Sequence, residues 1–392
     1  MTTRAHAGVA ATGGLALATL LTMSHALNDA WTSLLSPLLP QIASAYQVTI
    51  GQTAILVAIL SFVGSMLQPL MGALGDHIDR RLLAAFGPVL TAAGMTTLGY
   101  APNFWLLGGL VMLGGLGSAI FHPAGAAFIA RGASAGRRGL FVSIFSAGGT
   151  VGMALSPLIA DAFTLRTLPY LLPLGLLLGA ITYAVTPADP SSSRTARRLA
   201  DYVAVFKGPI RLLWGMSVLR SLSSVAYASL LGFLLASRGA GDHLSASLAV
   251  YNAASALGGV VGGRLSDRLG RTAVIRSSIL LTIPLFIGLV YSHPGQWWYY
   301  PLTALVGAMV MANIPVSIVA AQEYAPDNMA TASALMMGFA WGTSGVLYLL
   351  IGKLADLTSP ATAMVCAILL LLPAVALAAR LPEPPRAGPP LS

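Results

Sequence analysis

Apolar stretches of about 20 residues recur along the whole chain, each ended by a charged cluster or a Pro/Gly break, and that is the length a helix needs to cross a hydrocarbon layer about 30 Å thick. The breaks place spans at 13–40, 50–74, 82–99, 104–130, 138–160, 168–186, 210–236, 245–262, 273–292, 297–321, 328–351 and 360–379. With no water to satisfy the backbone in hydrocarbon, these runs predict twelve transmembrane helices. The first run is read as a retained helix. Its leader "MTTRAHAG" carries one firm positive charge, Arg4, and the run continues into Asn28, Asp29 and Trp31 rather than a small-residue cleavage site.

One long polar connection, "TPADPSSSRTARRLADYVAVFKGP" at 186–209, divides the pattern nearly in half. The expected organisation is an N-terminal six-helix bundle over 1–187, a cytoplasmic linker over 188–208 and a C-terminal six-helix bundle over 209–392. The halves repeat. "GALGDHIDRR" (72–81) matches "GRLSDRLGRT" (263–272) at an offset of 191, pairing Gly72 with Gly263, Leu74 with Leu265, Asp76 with Asp267 and Arg80 with Arg271. Two six-helix halves of like orientation form a parallel repeat, an arrangement that places a substrate site between the halves near the bilayer midplane.

Composition narrows the class. Hydrophobic residues make up 56% and charged residues 8%, whereas a soluble domain carries about one quarter charged residues. An even number of spans puts both termini on one side. If that side is the cytoplasm, 17 of the 21 Lys and Arg fall on it, as the positive-inside rule requires. The net charge of +9 then sits on short loops beside lipid headgroups, so the lipid bilayer and not a nucleic acid is the expected partner. The single cysteine, Cys366, forms no internal disulfide and has no partner at metal-ligand spacing, so no metal site and no redox cofactor are expected. No H-E-x-x-H, G-x-S-x-G or Walker pattern is present, which argues against an enzyme and against built-in ATP drive. A channel or a receptor would share the hydropathy. A channel, however, needs no two-half repeat, and a receptor usually adds a soluble output domain.

Polar residues inside the spans supply the candidate chemistry. His25, Asn28, Asp29, Thr32 and Ser36 fall at steps of three or four and form one stripe along the first helix. The repeat offset takes Asp29 to Arg220 and His122 to Asn313. Asp29 and Arg220 bear full charges of opposite sign near mid-span, where a lone charge costs about 3 kcal/mol or more, so neither is expected to face lipid and each is a natural counter-charge for the other. The stripe reads either as the lining of a water-filled cavity or as interhelical hydrogen bonds worth about 1 kcal/mol each. His25 and His122 are open between packing residues and proton carriers, since histidine titrates near neutrality.

The doubled Gly-x-Leu-x-Asp…Arg motif in twelve spans resembles the major facilitator superfamily of secondary transporters. More narrowly, "SHALND" (24–29), "LQPLMG" (67–72), "GLGSAIFHPAG" (115–125), "GRRGLFVSIFSAGGTVG" (136–152) and "QEYAPDNMATASALMMG" (322–338) together are similar to the fosmidomycin resistance protein family. The likeness runs from the first helix to the eleventh. One position departs: that family commonly has glutamate after Phe-His-Pro, and here the residue is Ala124.

The resemblance implies an all-α membrane protein of two pseudo-symmetric six-helix bundles, working by alternating access, with helices one, four, seven and ten lining the cavity. It also implies a bacterial cytoplasmic (inner) membrane location with both termini cytoplasmic, and a monomer that acts on a small-molecule substrate. On this basis the expected function is proton-coupled export of a small anionic drug or metabolite such as a phosphonate antibiotic, with the proton gradient as energy source and no bound cofactor. Import of an organic anion is the alternative. Asp29, His25 and His122 are the expected proton-coupling residues, and Arg220, Asn28, Asn313 and His122 the expected substrate-binding residues. Asp76, Arg80, Asp267 and Arg271 are expected to form a cytoplasmic gate, the acids pairing across the halves or capping a neighbouring helix.

Overall fold

The computed structural model describes residues 2–75, 77–132, 138–189 and 203–384, and these are all-α. The helices are α1 (Thr2–Ser33), α2 (Leu35–Tyr46), α3 (Ile50–Ser61), α4 (Gln68–Leu74), α5 (Arg80–Thr96), α6 (Phe104–Gly132), α7 (Arg138–Ala162) and α8 (Leu172–Val185). Beyond the linker follow α9 (Gly208–Ser237), α10 (Leu244–Leu269), α11 (Arg271–Tyr291), α12 (Tyr299–Tyr324), α13 (Met329–Ala334), α14 (Ala340–Leu357), α15 (Pro360–Leu369) and α16 (Leu371–Ala379). Every span expected from the sequence is occupied by helix. Among the described residues nine helices are long and apolar enough to cross a membrane, and a tenth crossing is the pair Ile50–Met66 and Gln68–Leu74, bent by 42°. The two remaining spans are α1 with α2 and the 17-residue α5.

Local chemistry explains the interruptions. α1 stops before Leu34, whose N–H donates to the Trp31 carbonyl in a tighter turn. Pro37 in the next turn has no N–H to offer and its ring crowds the carbonyl four residues earlier. The bent pair is joined through a π turn at Phe62–Met66, and α13 is joined to α14 through another at Leu335–Phe339. These two π turns pack on one another.

Packing divides the chain into two compact units: Met1–Leu35 with Leu67–Ala196, and Ser36–Met66 with Arg197–Ser392. The segment 36–66 therefore packs with the C-terminal helices, although the sequence division groups it with 1–187. The reason lies on α14 and the π turn before it. A Cβ on Gly352 would stand 2.5 Å from the Ala54 Cβ, and one on Gly338 would stand 2.9 Å from the Ser65 carbonyl oxygen. Only glycine allows α3 and α14 to approach so closely.

In the first unit α1 lies against α7 and α5 against α6. Leu21, Leu83, Ala84, Phe121, Ala124, Phe128, Ile129 and Phe145 form its apolar cluster. Ala124, where the resembled family commonly has glutamate, is thus an apolar packing residue here.

Candidate functional site

The polar stripe of α1 meets the histidine of α6 in the first unit. His25 Nε2 lies 3.2 Å from Asp29 Oδ2, and His122 Nε2 lies 3.3 Å from Asp29 Oδ1. The two Nε2 atoms are 3.2 Å apart. Each ring is held by its far nitrogen: His25 Nδ1 is 2.7 Å from the Phe145 carbonyl oxygen, and His122 Nδ1 is 2.8 Å from the Ser118 carbonyl oxygen. A carbonyl only accepts, so both Nδ1 atoms carry the hydrogen. In neutral imidazoles the two Nε2 atoms then present lone pairs. The His25 ring also stacks on Phe145 at 4.2 Å between centroids.

Asn28 completes the arrangement. Its Nδ2 donates to Asp29 Oδ1 at 3.0 Å and to Ser118 Oγ at 3.2 Å, while its Oδ1 accepts from Thr91 Oγ1 at 2.9 Å. Asn28 is fully buried, so it orients the carboxylate rather than offering itself to solvent. Glycine supplies the room. A Cβ on Gly149 would stand 2.5 Å from Asp29 Oδ2 and 2.6 Å from His25 Nε2. Within its own unit the Asp29 carboxylate is met by two histidines and an asparagine.

The second unit holds Arg220 and Asn313. Arg220, on α9, is 3% exposed. Its Nη2 donates to Ser221 Oγ at 2.9 Å, and its guanidinium carbon lies 5.4 Å from the Trp341 ring centroid. Its Nε and Nη1 have no hydrogen-bond partner among the described residues. Asn313, on α12, donates to Ser278 Oγ at 3.2 Å, which ties it to α11, and its Oδ1 has no partner among the described residues. The predicted residues thus fall into one cluster of four (His25, Asn28, Asp29, His122) in one unit and two separately held residues in the other.

Of the expected gate, Asp76 lies outside the described residues. Arg80 pairs with Asp189 at 3.1 Å, and Arg131 joins the same carboxylate oxygen at 2.7 Å. Burial pushes the Asp189 carboxyl up, but the hydrogen bonds and charges of Arg131 and Arg80 outweigh it and hold the group below its ordinary range. Arg271 pairs with Asp267 at 2.6 Å and with Glu323 at 3.2 Å. Asp267 is thus bound to an arginine one turn along its own chain segment. Glu383 accepts from the Arg271 N–H at 2.6 Å and from the Thr272 N–H at 3.1 Å, capping the start of α11.

Asp189, Glu323, Glu383, Ser118, Thr91 and Gly149 were missed by the sequence reading. Ser118 had a signal, since it stands one helical turn before His122. Asp189 sits in the polar linker, and nothing in its spacing points to Arg80.

The model of the Major Facilitator Superfamily matches residues 21–348. The chain is 30% identical over 377 residues to the fosmidomycin resistance protein of Escherichia coli strain K12, covering 90% of this chain and 89% of that protein. It is 28% identical over 363 residues to YfnC of Bacillus subtilis strain 168, an MFS-type transporter, with 86% of each covered. The solved structure of the nucleoside transporter NupG shares the fold with a TM-score of 0.78 at 15% identity, covering 93% of this chain and 100% of that one. The twelve-span pattern, the helical fold and these matches make the chain a member of the Major Facilitator Superfamily of membrane transporters.

Proposed function

We propose that the protein is a proton-coupled exporter of a small anionic drug or metabolite such as a phosphonate antibiotic. It works by alternating access in the bacterial cytoplasmic membrane, with both termini cytoplasmic. The observation that carries this reading is Arg220, 3% exposed, with two guanidinium nitrogens that have no partner among the described residues. A buried cation without a counter-charge costs several kcal/mol. A planar fork of free N–H donors is shaped for a carboxylate or a phosphonate, whose oxygens take two parallel hydrogen bonds. Substrate anion therefore supplies what the fold withholds, and the Trp341 face leaves the in-plane N–H donors free to bind it. Drug export is supported by the relative named for fosmidomycin resistance.

The driving ion enters in the other unit. Asp29 with His25 and His122 is a carboxylate between two imidazoles, a centre that welcomes positive charge, and the proton is the coupling ion we assign to it. Protons bound there on one side of the membrane and anion bound at Arg220 on the other move in opposite directions. Titration calorimetry with fosmidomycin as probe tests the anion half of this reading. Arg220→Lys keeps the charge but loses the fork, so affinity falls at least tenfold with normal membrane insertion. Unchanged affinity in Arg220→Ala removes Arg220 from the binding site.

A further inference from the structure

We propose that His25, Asp29 and His122 form a binding site for a divalent transition cation of the zinc class. Two imidazole nitrogens and one carboxylate from two helices converge there: the Nε2 atoms are 3.2 Å apart, His25 Nε2 is 3.2 Å from Asp29 Oδ2 and His122 Nε2 is 3.3 Å from Asp29 Oδ1. A tetrahedral zinc ion binds imidazole nitrogen and carboxylate oxygen at about 2.0–2.2 Å, which sets its ligand atoms about 3.3 Å apart. The Nε2–Nε2 separation is that of two corners of such a tetrahedron, and the carboxylate facing both nitrogens supplies an oxygen for a third.

The hydrogen positions point the same way. Both Nδ1 atoms are committed to backbone carbonyls of Phe145 and Ser118, so neutral imidazoles aim lone pairs and not N–H groups at the carboxylate. With Nε2 deprotonated, both lone pairs and the carboxylate point at one place, which a cation can fill. Far-side N–H groups donated to carbonyls, together with an amide donated to the carboxylate, are the outer contacts that orient ligands in metal sites. Asn28 makes that amide contact.

A fourth ligand can approach from the exposed side: the His122 and Asp29 side chains are 24% and 16% exposed, while Gly149 closes the other side, where any Cβ would collide with Asp29 Oδ2 and His25 Nε2. Two neutral imidazoles and one carboxylate leave a bound divalent ion with one net positive charge, so the open position takes water or an anionic oxygen. Two nitrogens and one oxygen suit zinc, cobalt or nickel, whereas magnesium and calcium take all-oxygen shells. Sequence spacing concealed the site, because its third ligand lies 93 positions beyond Asp29 and no cysteine marks it. The inference rests on the donor geometry of the residues read above as the proton site, where metal and protons compete for the same atoms, and stands apart from the reading of Arg220.

The test uses the full-length protein, purified in detergent without a histidine tag and titrated with Co2+ followed by visible absorption. The expected result is a one-to-one complex with the ligand-field bands of four-coordinate cobalt, displaced by Zn2+ and unaffected by excess Mg2+. That readout needs no variant to fold. His122→Ala and, separately, Asp29→Asn are expected to weaken binding more than tenfold while retaining the unfolding transition of the wild type. A wild-type protein that shows no cobalt bands up to millimolar metal overturns the proposal, as does unchanged affinity in both variants. Either failure, with fosmidomycin binding still dependent on Arg220, leaves the exporter reading standing.

Discussion

Asp29 illustrates how much a single helix discloses. His25, Asn28 and Asp29 share one face of α1 because they stand three or four positions apart, so their grouping was legible without any structure. His122 was found through the repeat and the Phe-His-Pro motif. The histidine contacts themselves were not legible, because they arise from the close approach of α1, α6 and α7. That approach depends on Gly149, which the sequence reading did not single out. Gly149→Ala should therefore part His25 from Asp29, since the new methyl group would lie 2.5 and 2.6 Å from their facing atoms. We expect transport to fall at least tenfold while size-exclusion behaviour and helical circular dichroism stay near wild type. Wild-type transport in this variant would show that the cluster tolerates separation and is not the coupling centre.

At the level of elements, the twelve spans could be read because hydrocarbon demands about 20 apolar residues from each one. Their bends could not. The break at Leu34 had a local cause in Pro37, but the π turns at 62–66 and 335–339 arise where two helices pack on one another, a fact that no single segment encodes. Asp356 on α14 accepts from Thr49 Oγ1 at 2.7 Å and from the Gly51 N–H at 3.1 Å, and so caps the start of α3. Asp356→Ala should lower stability by about 0.5–1 kcal/mol, measured as a shift in thermal unfolding; no shift would mean that Thr49 and Gln52 cap the helix unaided.

The tie between α5, α6 and the linker start gives a pH-dependent expectation. Asp189 is held below its ordinary range by Arg131 and Arg80. A carboxyl lowered on folding contributes stability above its unfolded value, about 3.9, and that contribution is lost as pH falls through the folded value. Asp189→Asn should thus be less stable than wild type at neutral pH, with the gap closing below about pH 4. Thermal unfolding across pH 3–7 checks this, and a constant gap would place the effect of the substitution elsewhere.

For the whole molecule, the repeat at offset 191 reached beyond the family likeness to particular residues. Arg80 and Arg271 occupy matched positions, and each is paired to an acid of its own unit, Asp189 in one and Glu323 in the other. Those acids do not stand at matched positions, so the repeat found the arginines and could not find their partners. The division of the chain was less legible still: 36–66 follows the glycines of α14 and its π turn rather than the order of the sequence. The central claim is that inward proton movement at Asp29 drives anion export, and it is tested most directly in proteoliposomes with an imposed pH gradient and fosmidomycin as the transported probe. Wild-type protein should concentrate the probe against the proton flow and stop when the gradient is collapsed, while Asp29→Asn inserts normally and gives no gradient-driven accumulation. Accumulation by Asp29→Asn equal to that of wild type, or wild-type transport indifferent to the gradient, would contradict the account.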